Sequence, residues 1–135
     1  MDNGRMANED TNEISLYRRL GGYDAIAAII GDLFQRLKED PLFVRFGSGR
    51  SLDSKARVQQ LTVEQICALA GGPCLYLGRD MRSSHRGLGI TEAEWQANKE
   101  HAAYVLQQHG ILEPERGEFL ELFERYRAEI VEEHS

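Results

Sequence analysis

Two cysteines, three prolines and one tryptophan are all that 135 residues hold of these types, and each scarcity excludes something. Two thiols cannot build the multi-bridge framework of a small secreted domain. Cys67 and Cys74 also lack the Cys-x-x-Cys spacing of a zinc or redox site. With no basic start and no apolar stretch at the N-terminus, nothing reads as a secretory leader. The expectation is therefore a cytoplasmic protein with two reduced thiols, the alternatives being a disulfide or a thiol switch. No apolar run is long enough to span a bilayer, so no membrane partner is expected. Basic residues are outnumbered, 16 Lys plus Arg against 22 Asp plus Glu, and the net charge is −6. A nucleic-acid binder needs a basic face to displace counterions, and that class is set aside. The glycines match neither a phosphate-binding loop nor a dinucleotide fingerprint.

What is present is helical. Hydrophobic residues make up 41% of the chain, enough for one real core. No segment alternates apolar and polar residues as a half-buried strand would. Residues 1–13 read as a loose polar tail, and residues 14–135 as a single domain. A short helix is expected over 14–20, stopped by Gly21-Gly22, where paired glycines permit a left-handed turn. Ile26, Ile29, Ile30, Leu33 and Leu37 then recur at helical spacing over 23–39. Asp40-Pro41 ends that helix, because a residue before proline is pushed out of helical geometry. A turn of helix holding Leu42, Phe43 and Phe46 leads to a loop at 47–51. The next helix, over 53–70, carries Val58, Leu61, Thr62, Gln65, Ile66 and Leu69 broadly on one side. Gly71-Gly72-Pro73 terminates it.

Residues 74–89 are irregular, with a short helical turn expected over 80–85. Thr91 and Glu94 form a capping box that opens a helix reaching about residue 109. Glu113-Pro114 then starts a last helix, with proline at its first position and a stripe of Phe119, Phe123, Tyr126 and Ile130. The sum is four substantial helices, two on each side of a long irregular stretch. Structureless stretches inside compact domains are usually functional. A flat apolar cofactor would both fill the space and order the segment.

Four histidines are candidates for chemistry. His134 lies near the C-terminus and reads as solvated. His109 ends a helix, where a cationic imidazole suits the carbonyl end of the dipole. His101 reads as a surface residue beside Glu100. His85 alone falls in the irregular segment. On spacing alone it too reads as a cap or surface residue, since no second histidine or paired carboxylate stands at metal-ligand spacing. One histidine is sufficient, however, where a porphyrin supplies four further ligands.

The order of short motifs resembles the group I truncated haemoglobins. The matching pieces are Leu16-Tyr17 through Gly21-Gly22, Asp40-Pro41 with Phe46, Gly71-Gly72-Pro73, Tyr76 through Met81, and His85 through Thr91. The resemblance implies an all-α fold, a truncated globin in which a two-over-two helical sandwich encloses haem b. It implies His85 as the proximal iron ligand, its other ring nitrogen donating to a carbonyl or hydroxyl. Phe46 matches the phenylalanine packed on the porphyrin. Met81 and Trp95 match apolar positions lining it, and Tyr76, Arg79 and Arg82 lie where the family neutralises the propionates.

The distal side departs from the family pattern. A tyrosine stands on the second helix of many members, and this sequence has Phe34, which keeps the shape and loses the donor. The position of the usual distal histidine becomes Val58, followed inward by Leu61, Thr62, Gln65 and Ile66. Thr62 and Gln65 are the candidate donors, with Asn98 on the facing helix a third. With no distal histidine or lysine, ferrous iron is expected to be five-coordinate. The resemblance implies reversible binding and transport of diatomic gases, namely oxygen, carbon monoxide and nitric oxide. Oxidation of nitric oxide, a dioxygenase-type activity, would draw electrons from a separate reductase. The competing class is a haem-free helical interaction module with a globin-like fold.

Overall fold

The isoleucine-rich run between Gly22 and Asp40 folds into helix α2, Tyr23–Glu39, with Ile26, Ile29, Ile30 and Leu33 buried along one face. This structure, a computed structural model, describes residues 14–47 and 52–132. The loose tail expected over 1–13, most of the loop expected over 47–51, and His134 lie outside the described residues. Ahead of α2, helix α1 spans Leu16–Leu20, capped by the Ser15 hydroxyl and closed by Gly21 at φ 111°. After α2, a 3-10 turn at Pro41–Phe43 leads into helix α3, Val44–Gly47. Helix α4 covers Leu52–Leu69, α5 covers Met81–His85 and α6 covers Glu92–Gln108. Helices α7, Glu115–Glu124, and α8, Arg127–Ile130, complete the order. No strand occurs among the described residues.

Helix α2 packs on α4, and α6 packs on α7. The contact of α2 with α6 joins these two pairs into a two-over-two sandwich. The main core holds Ile26, Ile29, Ile30, Leu33, Val63, Ile66, Cys67, Val105, Leu106 and Phe119. Burying a side chain of this size contributes roughly 1.5–3 kcal/mol, so this cluster dominates the stability. Arg19 staples α1 to α7, donating to Glu115 at 2.8 Å and Glu118 at 2.7 Å. These bonds hold the Glu118 carboxyl below its usual range.

Four expectations are corrected by the packing. The stripe expected on α4 divides in two. Val63, Ile66 and Cys67 enter the core, whereas Leu61, Thr62 and Gln65 are half-buried and Val58 is exposed. The last helix breaks at Arg125–Tyr126, so Phe119 and Leu122 serve the main core while Tyr126 and Ile130 serve a second cluster. Pro114 caps α7 from outside its first turn. Cys67 and Cys74 are joined as a disulfide, because the turn at Gly71-Gly72-Pro73 folds the chain back and brings their Cα atoms within 5.8 Å. The capping box is present as expected, with Thr91 and Glu94 each accepting from the other's backbone N–H.

Candidate functional site

Helix α5 is too short to be stable by its own hydrogen bonds and is held by its surroundings. Its N-cap is Asp80, whose carboxylate accepts from the Ser83 N–H. The segment leading to it is folded by Tyr76, whose hydroxyl donates to the Arg79 carbonyl at 2.5 Å. That ring lies so close over Gly78 that any Cβ there would sit 2.4 Å from the hydroxyl oxygen. Met81 anchors the helix in a second apolar cluster with Trp95, Ile130 and Val131, to which Tyr76, Ile90, Phe123 and Tyr126 add half-buried surface.

His85 closes α5. Its Nδ1 lies 2.9 Å from the Met81 carbonyl oxygen and 2.8 Å from the Ser84 hydroxyl. A carbonyl can only accept, so the geometry places the proton on Nδ1. Nε2 then carries the lone pair, and it has no hydrogen-bond partner among the described residues. Burial pushes the imidazole pKa down, against the opposing pull of the Met81 carbonyl. The ring is therefore neutral at pH 7, the form a metal requires. The other described histidines differ. Nε2 of His101 is 2.7 Å from Asp40, and Nε2 of His109 is 2.7 Å from Asp32. His101 also accepts from Arg36 at Nδ1, so its ring is fully engaged and only 18% exposed, not the free surface residue expected.

The remaining expected residues are spread over α2, α3, α4, α6, α5 itself and the segment before it. Trp95 is buried, with its indole N–H donating to Glu124 at 3.2 Å. Phe46 is half-buried beneath the Arg45 guanidinium, 4.0 Å from its ring centre. Arg79 and Arg82 are exposed and form no ion pair among the described residues. Phe34 is half-buried against the main core. The Thr62 hydroxyl donates back to the Val58 carbonyl at 2.9 Å. Gln65 and Asn98 are half-buried, and Ile66 belongs to the core.

Two residues at the site were not legible in the sequence. Arg45 donates to the carbonyls of Leu88 and Gly89, at 2.8 and 3.2 Å, and to both oxygens of Glu94. Glu132 accepts from the N–H groups of Gly87 and Gly89 at 3.0 and 2.7 Å. Both act across more than 40 residues of sequence, so no local pattern announces them. Glu94 is 6% exposed. Burial opposes its ionisation, but bonds from Arg45 and the Thr91 N–H prevail and hold its carboxyl low. The stabilisation is thus present above the unfolded carboxyl's pKa and is lost as pH falls through the folded one. Arg45→Met should cost about 1–3 kcal/mol at pH 7, the penalty of a buried acceptor left short of donors. Urea unfolding checks this, and the difference should shrink toward pH 4.

The donor chemistry suits a metalloporphyrin. No group of three or more His, Cys, Asp or Glu among the described residues could hold a metal ion alone. A single neutral imidazole with a free Nε2 needs a macrocycle to complete the coordination.

Helices paired two over two, with one histidine among the described residues whose Nε2 is uncommitted, fit a truncated globin. The chain belongs to the bacterial-like globin family, whose model matches residues 15–132. It is 30% identical over 97 residues to a group 1 truncated hemoglobin of Mycolicibacterium paratuberculosis, covering 72% of this chain and 69% of the relative. It is 23% identical over 117 residues to one from Tetrahymena pyriformis, covering 87% and 94%. The crystal structure of the T. pyriformis protein in its Fe(III) form superposes with a TM-score of 0.79, at 22% identity, over 87% of this chain and 97% of that one. The Synechococcus 2/2 hemoglobin, solved in the cyanomet state with covalently attached heme, gives 0.78 at 22% identity, over 87% and 98%.

Proposed function

We propose that the chain binds haem b through Nε2 of His85 and uses the opposite face for reversible binding of oxygen, carbon monoxide or nitric oxide. The observation that carries this reading is the contrast among histidines: His101 and His109 spend Nε2 on aspartates, and His85 does not. Haem, when bound, supplies an iron with one open coordination position for a diatomic gas.

The protein's own residues do the rest. The Met81 carbonyl and Ser84 hydroxyl orient the imidazole and keep its proton on Nδ1. Phe46 on α3 and Leu61 on α4 would border the ring as apolar side chains. Arg79 and Arg82 offer guanidinium forks to the propionate carboxylates. The haem-free alternative gives no role to a half-buried, neutral imidazole with an idle lone pair.

Titrating the purified full chain with hemin tests the reading. We expect one equivalent to be taken up with a sharp Soret band, and dithionite reduction to give a five-coordinate high-spin spectrum that carbon monoxide converts to low spin. No Soret uptake refutes haem binding. A low-spin ferrous spectrum without added gas refutes the open distal side.

A further inference from the structure

The segment that follows His85 is held by a carboxylate far along the chain. Glu132 lies 45 residues from Gly87 and 43 from Gly89, yet its two oxygens accept from both backbone N–H groups, Oε2 at 3.0 Å and Oε1 at 2.7 Å. Its own N–H donates to the Ile90 carbonyl at 2.9 Å. Gly87 and Gly89 both sit at positive φ, 82° and 64°. With the Leu88 N–H between them turned to the His85 carbonyl, these two N–H groups face one carboxylate. Just before Glu132, Ile130 and Val131 pack against Met81. One stretch of three residues thus grips both ends of α5, by apolar contact at Met81 and by carboxylate past His85.

The helix's own bonds restrain that end only weakly. The capping residue, Arg86, leaves helical geometry at ψ 134°, and the Leu88 N–H reaches the His85 carbonyl only at 3.2 Å. The carbonyls of Leu88 and Gly89 belong to Arg45. The N–H groups of Gly87 and Gly89 belong to Glu132. The backbone after the imidazole is therefore clamped on its donors by one residue and on its acceptors by another.

We propose that Glu132 is a positioning residue for His85: its carboxylate fixes the Gly87–Gly89 backbone and thereby the tilt of the imidazole toward the iron. The inference rests on the reading of His85 as the iron ligand. Losing the clamp lets α5 rotate about its Met81 anchor, so the Nε2 lone pair samples several directions where the wild type holds one. Outer-shell partners of metal-bound histidines act in this way, and removing them weakens the metal site.

The test compares hemin-loaded wild type with Glu132→Ala and Glu132→Gln. The glutamine variant keeps the shape of the side chain but turns one acceptor into a donor facing an N–H. In the ferrous form, resonance Raman should show the iron–histidine stretch lowered and broadened in both variants. Hemin transfer to excess apomyoglobin should quicken about tenfold for the alanine variant and less for the glutamine variant. Far-UV circular dichroism should match the wild type, since α5 contributes only five residues. A wild-type stretch and transfer rate in both variants overturns the role of Glu132. If the alanine variant unfolds, an unchanged stretch in the glutamine variant overturns it equally. Failure of the underlying reading looks different: the wild type itself then shows no iron–histidine band.

Discussion

Replacing His85 by alanine is expected to raise the rate of hemin loss by more than about 100-fold, because that factor is already the upper end for removing an outer-shell partner and here the ligand itself goes. Transfer to apomyoglobin measures it. The variant should also lose the five-coordinate ferrous spectrum, and added imidazole should restore it by occupying the vacated space. Unchanged hemin retention would sink the assignment. The fold should survive, since the ring is half-buried and lies in neither apolar cluster. His101→Ala and His109→Ala should leave the spectrum untouched, because both rings are tied to aspartates.

Phe34→Tyr is expected to slow oxygen release by about one to two decades. A hydrogen bond to a charged or strongly polarised acceptor is worth about 1.5–3 kcal/mol, and each 1.4 kcal/mol is tenfold. Phe34 lies on α2, the helix packed against α4, and it has no polar atom to offer. The hydroxyl proton of Thr62 is committed to the Val58 carbonyl. Thr62→Val should therefore change release by less than about threefold. Gln65 is the other candidate donor expected on α4, and Gln65→Leu reads its share. Stopped-flow release from the reduced, oxygenated protein measures all three. A Phe34→Tyr variant that leaves the rate where it was would show that this side chain does not border the gas site.

The helices were legible because their signals are local. Isoleucines on α2, the capping box at Thr91 and the proline after Asp40 all act within a few residues, and the structure places those boundaries as read. His85 stood apart in the sequence by its place in the irregular segment, and its assignment as ligand came through resemblance, since its spacing alone reads as a cap or surface residue. The structure separates it from His101, whose Nε2 is engaged by Asp40, 61 residues away. The expected stripe on α4 failed for a related reason. Periodicity shows that a helix has apolar surface but not that two neighbouring faces serve different ends. Arg45 and Glu132 were out of reach altogether, because their partners, loop backbone atoms and for Arg45 also Glu94, lie more than 40 residues away. The disulfide stood only as the alternative because reduced thiols were expected where no secretory leader could be read, while the turn that brings Cys67 to Cys74 is a matter of geometry.

The second apolar cluster has a consequence for the order in which this molecule is made. Its members come from α5, the start of α6, and Ile130 and Val131. A ribosome delivers α2, α4 and α6 well before those last two side chains emerge. The main sandwich can start to assemble while the neighbourhood of residue 85 is still open. The surroundings of Met81, one turn before residue 85, are thus completed only after the partners of the main sandwich have been made.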